Sequence, residues 1–297
     1  MRYLALLLAA LSALLAACSQ PAAAPRTGLT EIDKLRPLHA TLGEPRPGEW
    51  LAEHDEDGQT FEEYLRCDPT LPQGERSKLY VQPIGTFAGA QKRILDDTVE
   101  YLALCYGLEV VVRDALSVSE IPEAARRKHP SWGMEQLFTG YILEEVLIPS
   151  LPKDAAAYLA LTDVDLWPGR GWNFVFGQAH LEERVGVWSV NRNGDPGESD
   201  RAYRQCLLRS LKTAAHETGH MFSILHCTAY ECLMGGRNNM EESDASPLWM
   251  CPECVSKVAW ATPSVMETRY EQLRAFCLKR GLDDEGAFFE ASLTALR

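Results

Sequence analysis

The chain has 297 residues, 46% of them hydrophobic, so it can bury a large core in one domain with a modest extension. Its formal net charge of −13 argues against a nucleic-acid partner and against direct attraction to an anionic membrane surface. The composition therefore favours a globular protein whose partner or substrate is not a polyanion.

The first residues have the pattern of an export signal. Residues 1–17 combine Arg2, an apolar run too short for a confident membrane span, and small residues. The sequence LAAC at 15–18 resembles the lipobox of bacterial lipoproteins, which predicts cleavage before Cys18 and a lipid on its thiol. We expect an exported bacterial protein that meets the membrane only through this lipid, at the outer membrane in a Gram-negative cell. The alternative is an ordinary cleaved signal that happens to end in cysteine.

Residues 18–77 predict a tether followed by an irregular arm. The beginning is rich in proline, alanine and polar residues, as flexible linkers are. The segments at 43–50 and 68–75 are charged and contain turn-forming residues. One short helix is expected near 60–67.

Residues 78–297 predict one α/β (α+β) domain, with an upper part at 78–222 and a lower, cysteine-rich helical part at 223–297. Strands are expected at 79–85, 108–115, 156–166, 172–180 and 185–192, and helices at 91–107, 131–151, 202–222 and 264–282. The run at 156–166 is almost continuously apolar, which is typical of a central strand. The aromatic residues at alternating positions in 172–176 indicate a half-buried edge strand.

The stretch HETGHMFSILH carries the pattern of a metal site. On a helix, His216 and His220 share a face, so both imidazoles can reach one ion. Glu217 lies about 100° further around the helix, where it could hydrogen-bond a water held by the metal. His226 can supply the third ligand of a catalytic zinc if the chain turns back near Ser223, and the alternative is a site with two histidines only. A serine in a left-handed conformation costs roughly 1–2 kcal/mol, which a folded domain and a bound zinc can offset.

Four cysteines behind this stretch form two pairs. Cys227 and Cys232 are five residues apart, and Cys251 and Cys254 follow as Cys-x-x-Cys. Two such pairs are the ligand pattern of a tetrahedral structural zinc. Because an exported protein folds in an oxidising compartment, two disulfides among the same four residues are the alternative.

These motifs resemble the archaemetzincins, a branch of the metzincin zinc peptidases. The family pattern continues after the three histidines and the cysteine with Cys-x4-Cys-x-Met and a distant Cys-x-x-Cys. The chain departs from it only at Ser223, where the pattern has glycine, and the resemblance spans roughly residues 45–280.

The resemblance implies a metzincin-like fold, a mixed twisted sheet with an antiparallel edge strand over the active-site helix. It implies two zinc ions per chain. Its catalytic zinc would be bound by His216, His220 and His226, and its structural zinc by Cys227, Cys232, Cys251 and Cys254. Glu217 would be the general base, and Met234 would lie under the catalytic metal.

The function predicted from these motifs is a zinc-dependent peptidase that hydrolyses peptide bonds with a zinc-activated water. Its substrate would be a peptide or protein, and we expect a monomer. Two other classes stay open at this stage. One is a catalytically weak, zinc-bound lipoprotein that holds peptides along its edge strand, although the intact Glu217 argues against it. The other is a zinc ribbon that recruits a macromolecular partner.

Overall fold

The computed structural model describes residues 29–297. The predicted export signal at 1–17, Cys18 and the beginning of the predicted tether lie outside the described residues. Within residues 29–297, no helix combines the length and the apolar character that a membrane crossing requires.

Two sheets organise the described chain. Their strands are β1 (Lys78–Ile84), β2 (Glu109–Val112), β3 (Arg126–Lys128), β4 (Glu135–Phe138), β5 (Ala155–Thr162), β6 (Asp165–Trp167), β7 (Gly177–Ala179) and β8 (Val185–Ser189). The main sheet has the order β2-β1-β5-β8-β7. Its first four strands are parallel, and β7 pairs with β8 in antiparallel register. The predicted mixed sheet with an antiparallel edge strand is therefore confirmed.

Helices surround the main sheet. The α-helical segments of the described chain are α1 (Leu29–Ile32), α2 (Trp50–Glu53), α3 (Phe61–Arg66), α4 (Gly89–Tyr106), α5 (Thr139–Tyr141), α6 (Asp200–Met221), α7 (Met240–Ala245), α8 (Pro252–Ala261), α9 (Met266–Lys279) and α10 (Asp283–Leu296). All eight positions of β5 are buried, because α4 and α6 pack against one face of the sheet and the π-helical segment Ile142–Leu147 against the other. The core thus fixes α6 under β7 and β8.

Three secondary-structure predictions were partly wrong. The strand expected over 156–166 ends at Thr162, and Asp165–Trp167 form β6 in the second sheet. The helix expected over 131–151 starts only at Thr139, because β4 pairs with β3 and β6 in a small second sheet. Gln136 is fully buried there, and its side-chain amide donates to Asp165 at 2.7 Å. This long-range pair favours the strand over the helical pattern of the local sequence. The edge strand expected over 172–180 is regular only in β7.

The arm at 29–77 packs along the domain. Its residues 40–42 lie beside 229–231, with Leu42 donating to the carbonyl of Ala229 at 3.0 Å and Glu231 to that of Ala40 at 3.0 Å. The helix expected near 60–67 is α3, whose capping box is formed by Thr60 and Glu63. The arm therefore contacts the loop between the first two cysteines of the predicted zinc pattern.

Candidate active site and metal centres

Helix α6 carries the first part of the histidine cluster. It begins behind Ser199, whose hydroxyl accepts the backbone N–H of Ala202 at 3.1 Å. Near its end, His216 and Glu217 are buried, with 8% and 7% of their surfaces exposed. His220 follows one turn after His216, and the two rings are 4.5 Å apart between centroids. The helix therefore presents both imidazoles to one point.

The chain leaves α6 in a sharp left-handed bend. Ser223 has a φ of 61°, which is the left-handed conformation predicted for the position where the pattern has glycine. Its N–H donates to the carbonyl of His220 at 2.8 Å, and the N–H of Ile224 donates to that of Gly219 at 3.2 Å. These two bonds form a Schellman motif, which satisfies the last carbonyls of the helix. The bend carries the ring of His226 to 4.9 Å from that of His220.

The serine side chain also stabilises this bend. Its hydroxyl accepts the backbone N–H of Thr70 at 3.0 Å. The side-chain amide of Gln59 donates to the carbonyl of Ser223 at 3.3 Å and its oxygen accepts the N–H of Leu225 at 3.3 Å. Hydrogen bonds from the arm thus offset part of the cost of the left-handed serine.

The hydrogen bonds of the three histidines define which ring nitrogen is free. Nδ1 of His216 lies 2.9 Å from the carbonyl oxygen of Leu233, and Nδ1 of His220 lies 2.7 Å from that of Ile224. Since carbonyl oxygens only accept, both Nδ1 atoms carry the proton. Both Nε2 atoms are then unprotonated, and each has a free lone pair.

These lone pairs lie close to each other. Nε2 of His216 is 2.9 Å from Nε2 of His220, and the ligand atoms of all three histidines lie within 4.8 Å of one another. Burial lowers the pKa of His216 well below its ordinary value and the pKa of His220 to about 3, and it lowers the pKa of His226 as well. Neutral imidazoles with converging lone pairs repel each other unless a cation lies between them. The donor set therefore fits a divalent metal such as zinc.

Glu217 lies beside this cluster, directly against the edge strand. A Cβ built on Gly177 of β7 would lie 2.5 Å from Oε1 of Glu217, so the strand passes over the carboxylate only because this residue is glycine. Among residues 29–297, no group donates a hydrogen bond to this carboxylate. Burial raises the pKa of Glu217 to about 8, and a bound divalent cation would lower it again by stabilising the charged form.

The four cysteines of the predicted zinc pattern form a second cluster, below the histidine cluster. Their sulfur atoms lie within 4.8 Å of one another, with Sγ of Cys227 and Sγ of Cys251 3.6 Å apart. Sulfurs that bind one zinc tetrahedrally at about 2.3 Å are about 3.8 Å apart, so this arrangement fits the ion. None of the eight cysteines in residues 29–297 forms a disulfide.

Met234 joins the two clusters. Its carbonyl accepts the N–H of Cys227 at 2.8 Å, and its own N–H points at Sγ of Cys232 at 3.4 Å. The side chain is fully buried under α6, where a Cβ on Gly219 would lie 2.6 Å from its sulfur. The methionine therefore lies directly beneath the histidine helix.

The arm contributes groups that the sequence did not reveal. Nδ1 of His226 lies 2.9 Å from Oε2 of Glu56, so a carboxylate orients this ring where carbonyls orient the other two. The indole of Trp50 meets the same ring edge-on at 5.2 Å and stacks on His54 at 3.9 Å. Glu56 stands in a run of four acidic residues interrupted by one histidine, and nothing in that run distinguishes it from its neighbours.

The three histidines, Glu217 and Trp50 border one cleft of about 430 Å³. One wall is aromatic and is formed by Trp50 of the arm together with Trp172, Phe174 and Phe176 of the segment before and next to β7. The floor is formed by the three histidines and Glu217. The cleft above the buried histidine cluster is large enough to receive a peptide segment.

Comparisons with known proteins place this site in a family. Residues 155–259, which include Glu217, the three histidines and the four cysteines, match the model described as Peptidase family M54. Archaemetzincin-2 of Homo sapiens is 32% identical over 274 residues, covering 81% of this chain and 74% of the relative. The archaemetzincin of Pyrococcus abyssi is 29% identical and covers 61% of this chain and 93% of that protein. The crystal structure of archaemetzincin from Methanopyrus kandleri matches with a TM-score of 0.50 and 28% identity, over 64% of this chain and 96% of that one.

The identity with Archaemetzincin-2 extends over most of both chains, and the family model matches from the start of β5 into α8. The resemblance read from the motifs is thereby confirmed. The chain belongs to the archaemetzincin family, peptidase family M54, and it is a zinc metallopeptidase.

Proposed function

We propose that the chain hydrolyses peptide bonds in the cleft over its histidine cluster, with Glu217 as the general base. The observation that carries the proposal is the convergence of three bare Nε2 lone pairs next to a carboxylate that no group in residues 29–297 engages. His216, His220 and His226 would hold the catalytic zinc. When bound, zinc supplies the Lewis acidity that acidifies water and polarises the scissile carbonyl.

Glu217 performs the proton transfers of this reaction. Its carboxylate takes a proton from the attacking water as the carbon–oxygen bond forms. It then delivers that proton to the nitrogen as the carbon–nitrogen bond breaks, which releases an amine and a carboxylic acid. The contact with Gly177 keeps the carboxylate at the wall where the substrate backbone would run.

The substrate binds along the sheet edge. β7 is the last strand in the sheet order, and the peptide adds there as a further strand above Glu217. The aromatic wall at Trp50 and Trp172 then packs against side chains of the substrate. A peptide or protein is the substrate class that fits this mode of binding.

We also propose that each chain holds two zinc ions, with the second bound by Cys227, Cys232, Cys251 and Cys254. This second ion would hold the loop of the Met234 turn against α8, since Cys251 and Cys254 lie at the start of that helix. Four buried thiolates would fill the tetrahedral coordination of this ion and leave no position for a water, so its role would be structural.

Cleavage of a peptide library by the zinc-loaded chain tests this function. We expect cleavage by the wild type and a loss of at least about a hundredfold in Glu217→Ala, because general-base groups typically contribute that much or more. Glu182→Ala, at an exposed position in the loop between β7 and β8 that does not line the cleft, is the matched control and should cleave like the wild type. Equal cleavage by Glu217→Ala and wild type would exclude the proposed base. Equal peptide binding without cleavage by either protein would instead identify a binding protein, a reading that the peptidase family does not favour.

The lipid on Cys18 is also a proposal, supported by the sequence LAAC alone. The mature protein would then be exported and anchored to a membrane by that lipid. Intact mass of the chain from the membrane fraction is the test. A mass without the added lipid, or an unchanged membrane fraction in Cys18→Ala, would refute it.

A further inference from the structure

The end of the cleft next to Glu217 is polar, unlike its aromatic wall. Thr213, one turn before Glu217 on α6, lines it together with Arg237, Asn238 and Ser243. Arg237 follows Met234 by three residues and is a charged side chain on the cleft surface next to Glu217. This end of the cleft therefore combines small hydrogen-bonding groups with one cation.

Arg237 is held in place by a single anchor. Its Nη2 donates at 2.6 Å to the carbonyl oxygen of Leu233, the same oxygen that accepts Nδ1–H of His216. The guanidinium thus lies immediately behind a histidine of the catalytic cluster. Its Nε is buried without a hydrogen-bond partner, and Nη1 makes no hydrogen bond within residues 29–297.

No carboxylate of the described chain forms an ion pair with this guanidinium. The nearby Glu242 is occupied, since its carboxylate accepts the N–H of Trp50 at 2.9 Å and that of Asn238 at 2.7 Å. Burial lowers the pKa of Arg237 to about 10, which still leaves it charged at neutral pH. The carboxylates of Glu217 and Glu242 attract the guanidinium from nearby but do not pair with it. A partly buried cation whose N–H groups contact no carboxylate is stabilised when a carboxylate binds it directly.

The chemistry of arginine specifies the ligand. A guanidinium presents several N–H donors in one plane, which match the two oxygens of a carboxylate better than any neutral group. The chain as a whole carries a net charge of −13, so the positive charge of Arg237 in the cleft is opposite in sign to the overall charge of the protein. An acidic surface would otherwise repel acidic substrates.

We propose that Arg237 binds a carboxylate on the substrate residue whose amine leaves, and so directs cleavage to bonds before an acidic residue or before the last residue of a chain. Glu217 indicates which side of the cleaved bond Arg237 contacts. It protonates the leaving amine, and it lines the same cleft as Thr213 and Arg237. The proposal rests on the proposed peptidase function. A side-chain carboxylate and a terminal carboxylate are the two sources of the same group.

Cleavage-site profiling of a peptide library separates these sources. For the wild type we expect enrichment of Asp and Glu after the cleaved bond by at least about tenfold over Asn and Gln, the strength of a charge-assisted pair. If the terminal carboxylate is the ligand, cleavage occurs instead one residue from the end and is lost in the amidated library. Arg237→Gln should abolish either preference. Arg170→Gln, which removes the same charge from an exposed position between Pro168 and Trp172, is the matched control and should retain it.

A binding measurement keeps the test independent of hydrolysis. Zinc-loaded wild type should bind N-acetylglutamate α-amide (side-chain carboxylate) or N-acetylglutamine (terminal carboxylate) at least about tenfold more tightly than N-acetylglutamine α-amide, which has neither group. Arg237→Gln with unchanged zinc content should not distinguish the three compounds. Equal affinities in the wild type, or a preference that survives in Arg237→Gln because the carboxylate binds only the metal, would overturn the proposal. If no peptide is cleaved but this preference is present, the peptidase function fails and the carboxylate site stands.

Discussion

The contact between the arm and the third histidine gives a quantitative prediction. Glu56 lies 170 residues before His226 in the chain, and its carboxylate oxygens are 2.9 and 3.1 Å from Nδ1. Glu56→Gln keeps an acceptor at this position but removes its charge. Glu56→Ala removes the acceptor as well, which frees the ring to rotate away from the metal.

The expected magnitude follows from the environment of the pair. Loss of a partner behind a metal-binding histidine typically costs 10- to 100-fold in metal affinity. The Glu56 side chain is 29% exposed, so solvent screens part of its charge, and we expect Glu56→Gln near the lower limit. A loss of about tenfold corresponds to about 1.4 kcal/mol. For Glu56→Ala we expect about 30- to 100-fold.

Metal titration can follow the two clusters separately, because cobalt(II) bound by thiolates absorbs differently from cobalt(II) bound by imidazoles. The affinity of the histidine cluster should fall in both Glu56 variants, while the cysteine cluster stays unchanged. Asp57→Asn is the matched control, since it removes a neighbouring exposed carboxylate with no metal partner. An unchanged histidine site in Glu56→Ala, or an equal loss in Asp57→Asn, would refute the assigned role of the arm.

Substitutions at three further positions test the surroundings of the site. Ser223→Ala should lose about 1 kcal/mol of unfolding free energy in urea, because the hydrogen bond from Thr70 is lost and the left-handed strain remains. Ser223→Gly should unfold with nearly the wild-type free energy, since relief of that strain offsets the lost bond, and a loss as large as that of Ser223→Ala would contradict this. Gly219→Ala should cost about 1–3 kcal/mol by displacing the sulfur of Met234, and unchanged stability would show that the sulfur moves freely. Cys254→Ser should remove one zinc per chain and leave the other, as counted by atomic emission, and an unchanged count would exclude the cysteine cluster as a zinc site.

The parts of the site that the sequence predicted are those encoded by short spacings. His216 and His220 come together through one helical turn, and Cys251 and Cys254 through the first turn of α8. The left-handed bend was predictable as well, because only such a conformation returns His226 to the helix and because glycine is usual at the position of Ser223.

The missed parts depend on contacts between distant segments. Glu56 and Arg237 carry no motif, and each matters only through what the fold places beside it. The stretch at 131–138 has a helical pattern, yet the buried pair of Gln136 and Asp165 fixes a strand there. The edge strand is short because its aromatic residues before Gly177 form the cleft wall instead of a ladder.

Zinc content per chain tests the central claim most directly, since the whole account depends on three imidazoles that share one ion. The wild type should contain two zinc ions per chain, and His220→Ala should contain one while its cysteine cluster remains loaded. A wild type with a single ion, or two ions in folded His220→Ala, would contradict the account.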